Sequence, residues 1–266
     1  MSTSRLACTV AVAMQKGGVG KTTTTVHLAR GAALAGLRTL VVDLDPQANA
    51  TGALAKDPPD RGDVSIADAL DPADDCSLSD VVIPTLWSGV ELAPATGASL
   101  AAGEQRVAAM NLGRESRLRN VLAEVQTEYD LILLDCPPAL GQLTVNALVA
   151  SRKVLVVFEA EQFALDGLHM LRDTVRGVQS SYNPELRWAG VLVNRWRGTT
   201  TNQDVLDELG KNFTEAEIWP YRVPQWTGIG DAVAAATALD QWSGARFRNL
   251  AEQYTLWAQD LAGAVR

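Results

Sequence analysis

The run Lys16-Gly17-Gly18-Val19-Gly20-Lys21-Thr22-Thr23 packs two lysines, three glycines and two hydroxyls into one short stretch. Glycines let backbone N–H groups crowd around phosphate oxygens, and a helix starting directly afterwards adds its positive N-terminus. Lys21, at the start of that helix, can curl back over the β- and γ-phosphates. Thr22 can place its hydroxyl on Mg²⁺, and Thr23 can donate to the α-phosphate. The usual pattern, Gly-x-x-x-x-Gly-Lys-Ser/Thr, asks for glycine at position 15. This chain has Gln15 there, followed by the second lysine, Lys16. Lys16 and Lys21 stand at opposite ends of the loop, so they are unsuited to the same task.

Carboxylates appear in two further places. The run Leu131–Pro138, LILLDCPP, is apolar up to Asp135, which puts that residue at the carboxyl end of a buried strand. Ligands sit there in open α/β sheets, and an Asp at that point can hold a magnesium-bound water. The run Val41–Asn49, VVDLDPQAN, places Asp43 and Asp45 at the end of another strand. Residues i and i+2 of an extended segment face the same way, so both are expected to point towards the γ-phosphate. One would organise the magnesium shell and the other orient the attacking water.

These residues need a sheet to hold them. Apolar runs at Thr9–Ala13, Thr39–Asp43, Leu131–Asp135, Val154–Phe158 and Ala189–Asn194 read as buried strands. Helical patterns cover Lys21–Ala35, Arg114–Gln126, Leu168–Ser180, Asn202–Leu209 and Arg246–Ala262. Near-continuous apolar strands alternating with helices predict an α/β fold with a mostly parallel, twisted sheet and helices on both faces. Residues 1–266 are expected to form one domain. The Asp-, Pro-, Ala- and Gly-rich stretch at about 55–80 is expected as a surface excursion with a short helix near Ser65–Leu70.

The chain has 266 residues, of which 47% are hydrophobic, so it can bury a sizeable core. No apolar run approaches the roughly 18–20 residues that span a bilayer. The first residues, MSTSRLACTV, lack the apolar stretch of a signal peptide, which predicts a cytoplasmic protein. Cys8, Cys76 and Cys136 are too sparse for a disulfide frame or a zinc site, and Cys8 is expected to be buried in the first strand. His27 and His169 read as helix-face residues. The net charge is −8, with 11 basic and 17 acidic residues in the first 150 positions against 12 and 14 in the rest. Any binding to nucleic acid must therefore come from a local patch.

Together KGGVGKTT, VVDLDPQAN, YDLILLDCPPALG and AEQFALDG (160–167) resemble the ParA/Soj family of chromosome and plasmid partition ATPases. That family belongs to the deviant Walker A group, which also holds MinD and the nitrogenase iron protein. The resemblance implies a three-layer P-loop NTPase fold, binding of ATP or ADP with Mg²⁺, and an ATP-bound homodimer with both nucleotides at its interface. It implies that Lys16 reaches across to the partner subunit's phosphates and that Asp45 positions the hydrolytic water. Thr22, Asp43 and Asp135 fall on the magnesium side, and Asn194 and Pro220 where the family reads the adenine ring. A positive charge supplied by Lys16 in trans would stabilise charge developing on the γ-phosphate, as an arginine finger does. The resemblance also implies non-specific DNA binding by the ATP dimer, association with the nucleoid, and slow hydrolysis stimulated by a ParB-type partner.

Some residues depart from the family pattern. VNRWRGTTTNQD (193–204) puts Arg195 after Asn194, as in MinD, and Thr199 where an arginine is expected. Trp219, Tyr221 and Trp226 occupy a segment usually poorer in aromatics, and either wall the nucleotide pocket or pack in the core. Candidates for DNA contact are Arg195, Arg197, Arg222, Arg246 and Arg248. Three other readings share the same engine. One positions a protein cargo such as a carboxysome or a chemoreceptor cluster through an adaptor. A MinD-like membrane switch would need a basic amphipathic C-terminal helix, which WAQDLAGAVR does not supply. An iron–sulfur carrier would need a cysteine pair facing the dimer axis, which the three cysteines fit poorly.

Overall fold

The computed structural model describes residues 6–60, 62–161, 164–214 and 216–263. In chain order the strands are β1 (Cys8–Ala13), β2 (Thr39–Asp43), β3 (Ile83–Pro84), β4 (Val90–Ala93), β5 (Leu131–Asp135), β6 (Lys153–Glu159) and β7 (Arg187–Asn194). The helices are α1 (Lys21–Leu34), α2 (Asn49–Leu54), α3 (Ile66–Leu70), α4 (Leu78–Val81), α5 (Gly97–Ala108), α6 (Arg117–Ala123), α7 (Gln142–Ala150), α8 (Ala164–Ser181), α9 (Thr200–Asn212), α10 (Thr227–Ala234) and α11 (Ala245–Ala262). They surround one seven-stranded sheet in the order β3-β4-β2-β5-β1-β6-β7. Every pairing is parallel except that of the edge strand β3 with β4.

Strand alternation sends side chains to two cores. Along β5, Ile132 and Leu134 join one face with α3, α5, α6, α7 and α8, while Leu131 and Leu133 join the other with α1, α10 and α11. Each fully buried Leu or Ile contributes roughly 1.5–3 kcal/mol over its exposed state. A three-layer P-loop NTPase fold is the result. At Gly31 in α1 an added Cβ would lie 2.7 Å from the backbone of Tyr254 in α11, so glycine is what lets these two helices touch.

The five anticipated strands are all present. β3 and β4 were not anticipated, nor were α2, α4, α5, α7 and α10. The excursion at 55–80 is more firmly held than a surface loop. Ser65 and Asp68 form a capping box at α3, and Ile66, Leu70, Leu78 and Val81 enter the core of one face. Cys8 is half-buried at the start of β1, not buried as expected. No helix among the described residues is long and apolar enough to cross a membrane. Gln162 and Phe163, within the family-like run 160–167, lie outside the described residues, as do the last three of WAQDLAGAVR.

Candidate nucleotide-binding site

The loop between β1 and α1 runs under the carboxyl ends of β1, β5 and β2. Gly20 sits at φ 93°, a left-handed conformation that glycine adopts without strain. A Cβ there would overlap the amide nitrogen of Asn194, which donates to the Val19 carbonyl at 2.7 Å. Gly20 is thus the point where the end of β7 closes on the loop. Gly17 and Gly18 face open space, leaving their backbone free for a ligand to approach.

Lys21 is buried, and its ammonium donates to the Lys16 carbonyl at 3.2 Å. Burial holds Lys21 below the usual lysine range, against the opposing pull of Asp135, Cys136 and Asp45. A buried cation with a single weak hydrogen bond among the described residues is suited to an incoming anion. Thr22 donates to Asp135 at 2.7 Å and Thr25 donates to the other oxygen of Asp135 at 3.1 Å. Asp43 and Asp135 are register partners on β2 and β5. Burial raises both carboxyls above the ordinary range; after burial, the charge of Asp45 pushes Asp43 up and the charge of Asp43 pushes Asp135 up. Such a site favours added positive charge, and the Thr22 hydroxyl with Asp135 behind it is a donor set that a hard cation such as Mg²⁺ accepts.

Asp43 and Asp45 do not face one way. Both oxygens of Asp43 are taken by the chain itself: one accepts from the Asp45 N–H at 3.1 Å, the other from the Thr51 N–H and hydroxyl, each at 2.8 Å. β2 ends at Asp43, so the i, i+2 rule for a strand does not carry through to Asp45. Asp45 alone of the two lines the cavity.

That cavity, about 350 Å³, is lined by Gly17, Gly18, Gly20, Lys21, Thr22, Thr23, Asp45, Gln47, Asn49, Pro138 and Arg195. A second, about 270 Å³, adjoins it and shares Gly20, Thr23 and Arg195. Asn194, Pro224, Gln225, Trp226, Thr227, Ile229 and Gly230 complete its wall. The first has the polar lining of a phosphate site. The second has the mixed apolar and amide lining of a base site. Pro220 is exposed and lines neither cavity; Pro224 lines the second. Trp226 walls the second cavity, whereas Trp219 and Tyr221 pack on Trp257 with ring centroids 5.0 and 5.8 Å away.

Lys16 lines neither cavity. Its ammonium pairs with Glu161 at 2.6 Å. Arg197 also reaches Glu161, at 3.1 Å, and Arg195 lies 3.7 Å from Glu159. These two arginines are thus tied to carboxylates at the groove. Arg222 lies over the Trp196 ring at 4.4 Å, Arg246 over Trp226 at 4.9 Å, and Arg248 is exposed on α11. Thr199 accepts from the Asn202 N–H and caps α9. Apart from Trp226, the wall residues Pro224, Gln225, Thr227, Ile229 and Gly230 were not picked out from the sequence, nor were the glutamates Glu159 and Glu161. The aromatic cluster and the paired acids at the end of β6 were their signals.

A family model described as an AAA domain matches residues 7–188. The chain is 38% identical over 226 residues to the sporulation initiation inhibitor protein Soj of Bacillus subtilis, covering 84% of this chain and 86% of that one. It is 37% identical over 257 residues to the chromosome-partitioning ATPase Soj of Thermus thermophilus, covering 94% and 96%. Among solved structures, cobyrinic acid a,c-diamide synthase from Mycobacterium smegmatis with bound ADP and magnesium superposes with a TM-score of 0.77 at 34% identity, covering 88% of this chain and 94% of that one.

Proposed function

The chain belongs to the AAA-domain family, in its ParA/Soj branch of partition ATPases, and from that premise we propose that it dimerises around ATP and Mg²⁺, binds DNA without sequence preference as a dimer, and resets when a ParB-type partner stimulates hydrolysis. The observation that carries this reading is the division of labour between its two loop lysines. Lys21 is buried beside the phosphate cavity, while Lys16 stands outside it.

The residues divide the work as follows. Gly17, Gly18 and Gly20 present backbone N–H groups to phosphate, Lys21 supplies a fixed positive charge, and Thr23 serves the α-phosphate end. Thr22 would hold Mg²⁺, with Asp135 fixing the threonine hydroxyl and Asp43 holding the neighbouring turn. The chemistry supplied by a magnesium ion held there would be to offset phosphate charge. Asp45 lines the cavity where the attacking water must sit and orients it. Asn194, Pro224 and Trp226 take the base. Lys16 serves the partner subunit's phosphates. The cycle would segregate a plasmid or chromosome; the same engine with another adaptor would position a protein cargo.

The Asp45→Ala variant tests the reading. It should bind ATP, lower turnover by roughly 100-fold or more, and accumulate as a dimer that retains its partner in a pull-down. Wild-type turnover in this variant would remove Asp45 from the water-positioning role. The Mycobacterium smegmatis relative carries the name of an amide-forming enzyme. Release of ADP and phosphate with no acid or amine acceptor present distinguishes a hydrolase from that chemistry.

A further inference from the structure

Glu161 closes a small ionic network beside the groove. One carboxylate oxygen takes the Lys16 ammonium at 2.6 Å and the other takes Arg197 at 3.1 Å. The residue sits just past β6, where its N–H donates to the Glu159 carbonyl at 2.8 Å and its own carbonyl accepts from Ala164 at the start of α8. The anchor is therefore backbone-fixed. Lys16 is the movable member, on a flexible four-carbon stem with 28% of its side chain exposed.

A lysine that serves a second subunit's phosphates must first leave any partner in its own chain. We infer that Glu161 is a positioning residue that holds Lys16 in cis in the monomer, so that its release sets the threshold for ATP-dependent dimerisation. This rests on the dimer reading above. The site is built for such an exchange. When Lys16 departs, Arg197 remains on Glu161, so the carboxylate is not stranded without a cation. When the dimer opens, the same carboxylate recaptures the lysine. Each dimer undoes two such pairs, so a modest bias per pair is doubled in the assembly. A state that is only fractionally competent lowers apparent affinity by that fraction. Part-exposed pairs of this kind shift equilibria by a few-fold each.

The test measures the monomer–dimer dissociation constant by sedimentation with saturating ATP and Mg²⁺, in the Asp45→Ala background to suppress turnover. Glu161→Gln should tighten the dimer roughly three- to tenfold, and Glu161→Ala should do the same. Asp166→Asn removes the same charge from the exposed first turn of α8 without touching Lys16, and should leave the constant unchanged. ADP affinity of each monomer reports that the fold and cavity are intact. An unchanged or weaker dimer in both Glu161 variants would overturn the latch, and so would equal tightening by Asp166→Asn. If the parent protein shows no ATP-dependent dimer at all, it is the dimer reading that fails instead.

Discussion

Asp43 and Asp45 lie two positions apart and do different work. Asp43 is an internal anchor for the turn, and Asp45 faces the cavity. The motif was legible in the sequence, but the split was not, because it depends on Thr51 folding back eight residues later. Likewise Lys16 and Lys21 were distinguishable by position, while Glu161 became visible only once β6 and the loop were side by side. His27 carries a prediction of its own. Burial against Tyr254 pushes its imidazole from 6.5 down to about 4. The folded state prefers the neutral ring, so this stabilisation is complete above pH 6.5 and is lost as pH falls from 6.5 towards 4, amounting to about 2 kcal/mol at pH 5. His27→Leu should narrow the gap between urea midpoints at pH 7 and pH 5. An unchanged gap would contradict the assignment.

At the scale of elements, strands with continuous apolar runs announced themselves and short edge strands did not. β4 reads Val-Glu-Leu-Ala, with an exposed Glu91, and β3 is two residues ending in Pro84. Neither carries a run long enough to stand apart from a loop. The second cavity was harder still, since Pro224–Gly230 meets Asn194 only through tertiary structure. Pairwise helix packing makes a sharper prediction. Gly31→Ala in α1 drives a methyl into the backbone of α11 and should lower stability by about 1–3 kcal/mol. Gly177→Ala in α8 meets no atom within 4 Å and should raise stability by up to about 1 kcal/mol. Chemical denaturation of both variants checks the pair; effects of the same sign would refute the close approach of α1 to α11.

At the scale of the molecule, a chain of net charge −8 must gather any DNA-binding surface locally. Arg195 and Arg197 are engaged by glutamates at the groove, which leaves Arg222, Arg246 and Arg248 as the candidates for a phosphate-contacting face. Arg222→Glu or Arg248→Glu should weaken retention on DNA by roughly tenfold at moderate salt while ATP affinity is kept. Unchanged retention by both would dismiss the patch. The fold was readable from motif order alone, and so was the grouping of the glycine loop, Lys21, Thr22 and Asp45 around one cavity. The charged surface was not, because pairing between distant residues decides which arginines are available.

Dimerisation around ATP through Lys16 is the step proposed above on which the rest depends. Sedimentation of the wild type, Lys16→Ala and Lys21→Ala with ATP, Mg²⁺ and a parallel nucleotide-binding assay tests it directly. The wild type should dimerise, Lys16→Ala should bind ATP with near wild-type affinity yet stay monomeric, and Lys21→Ala should lose binding itself. A Lys16→Ala protein that dimerises as the wild type does would contradict it.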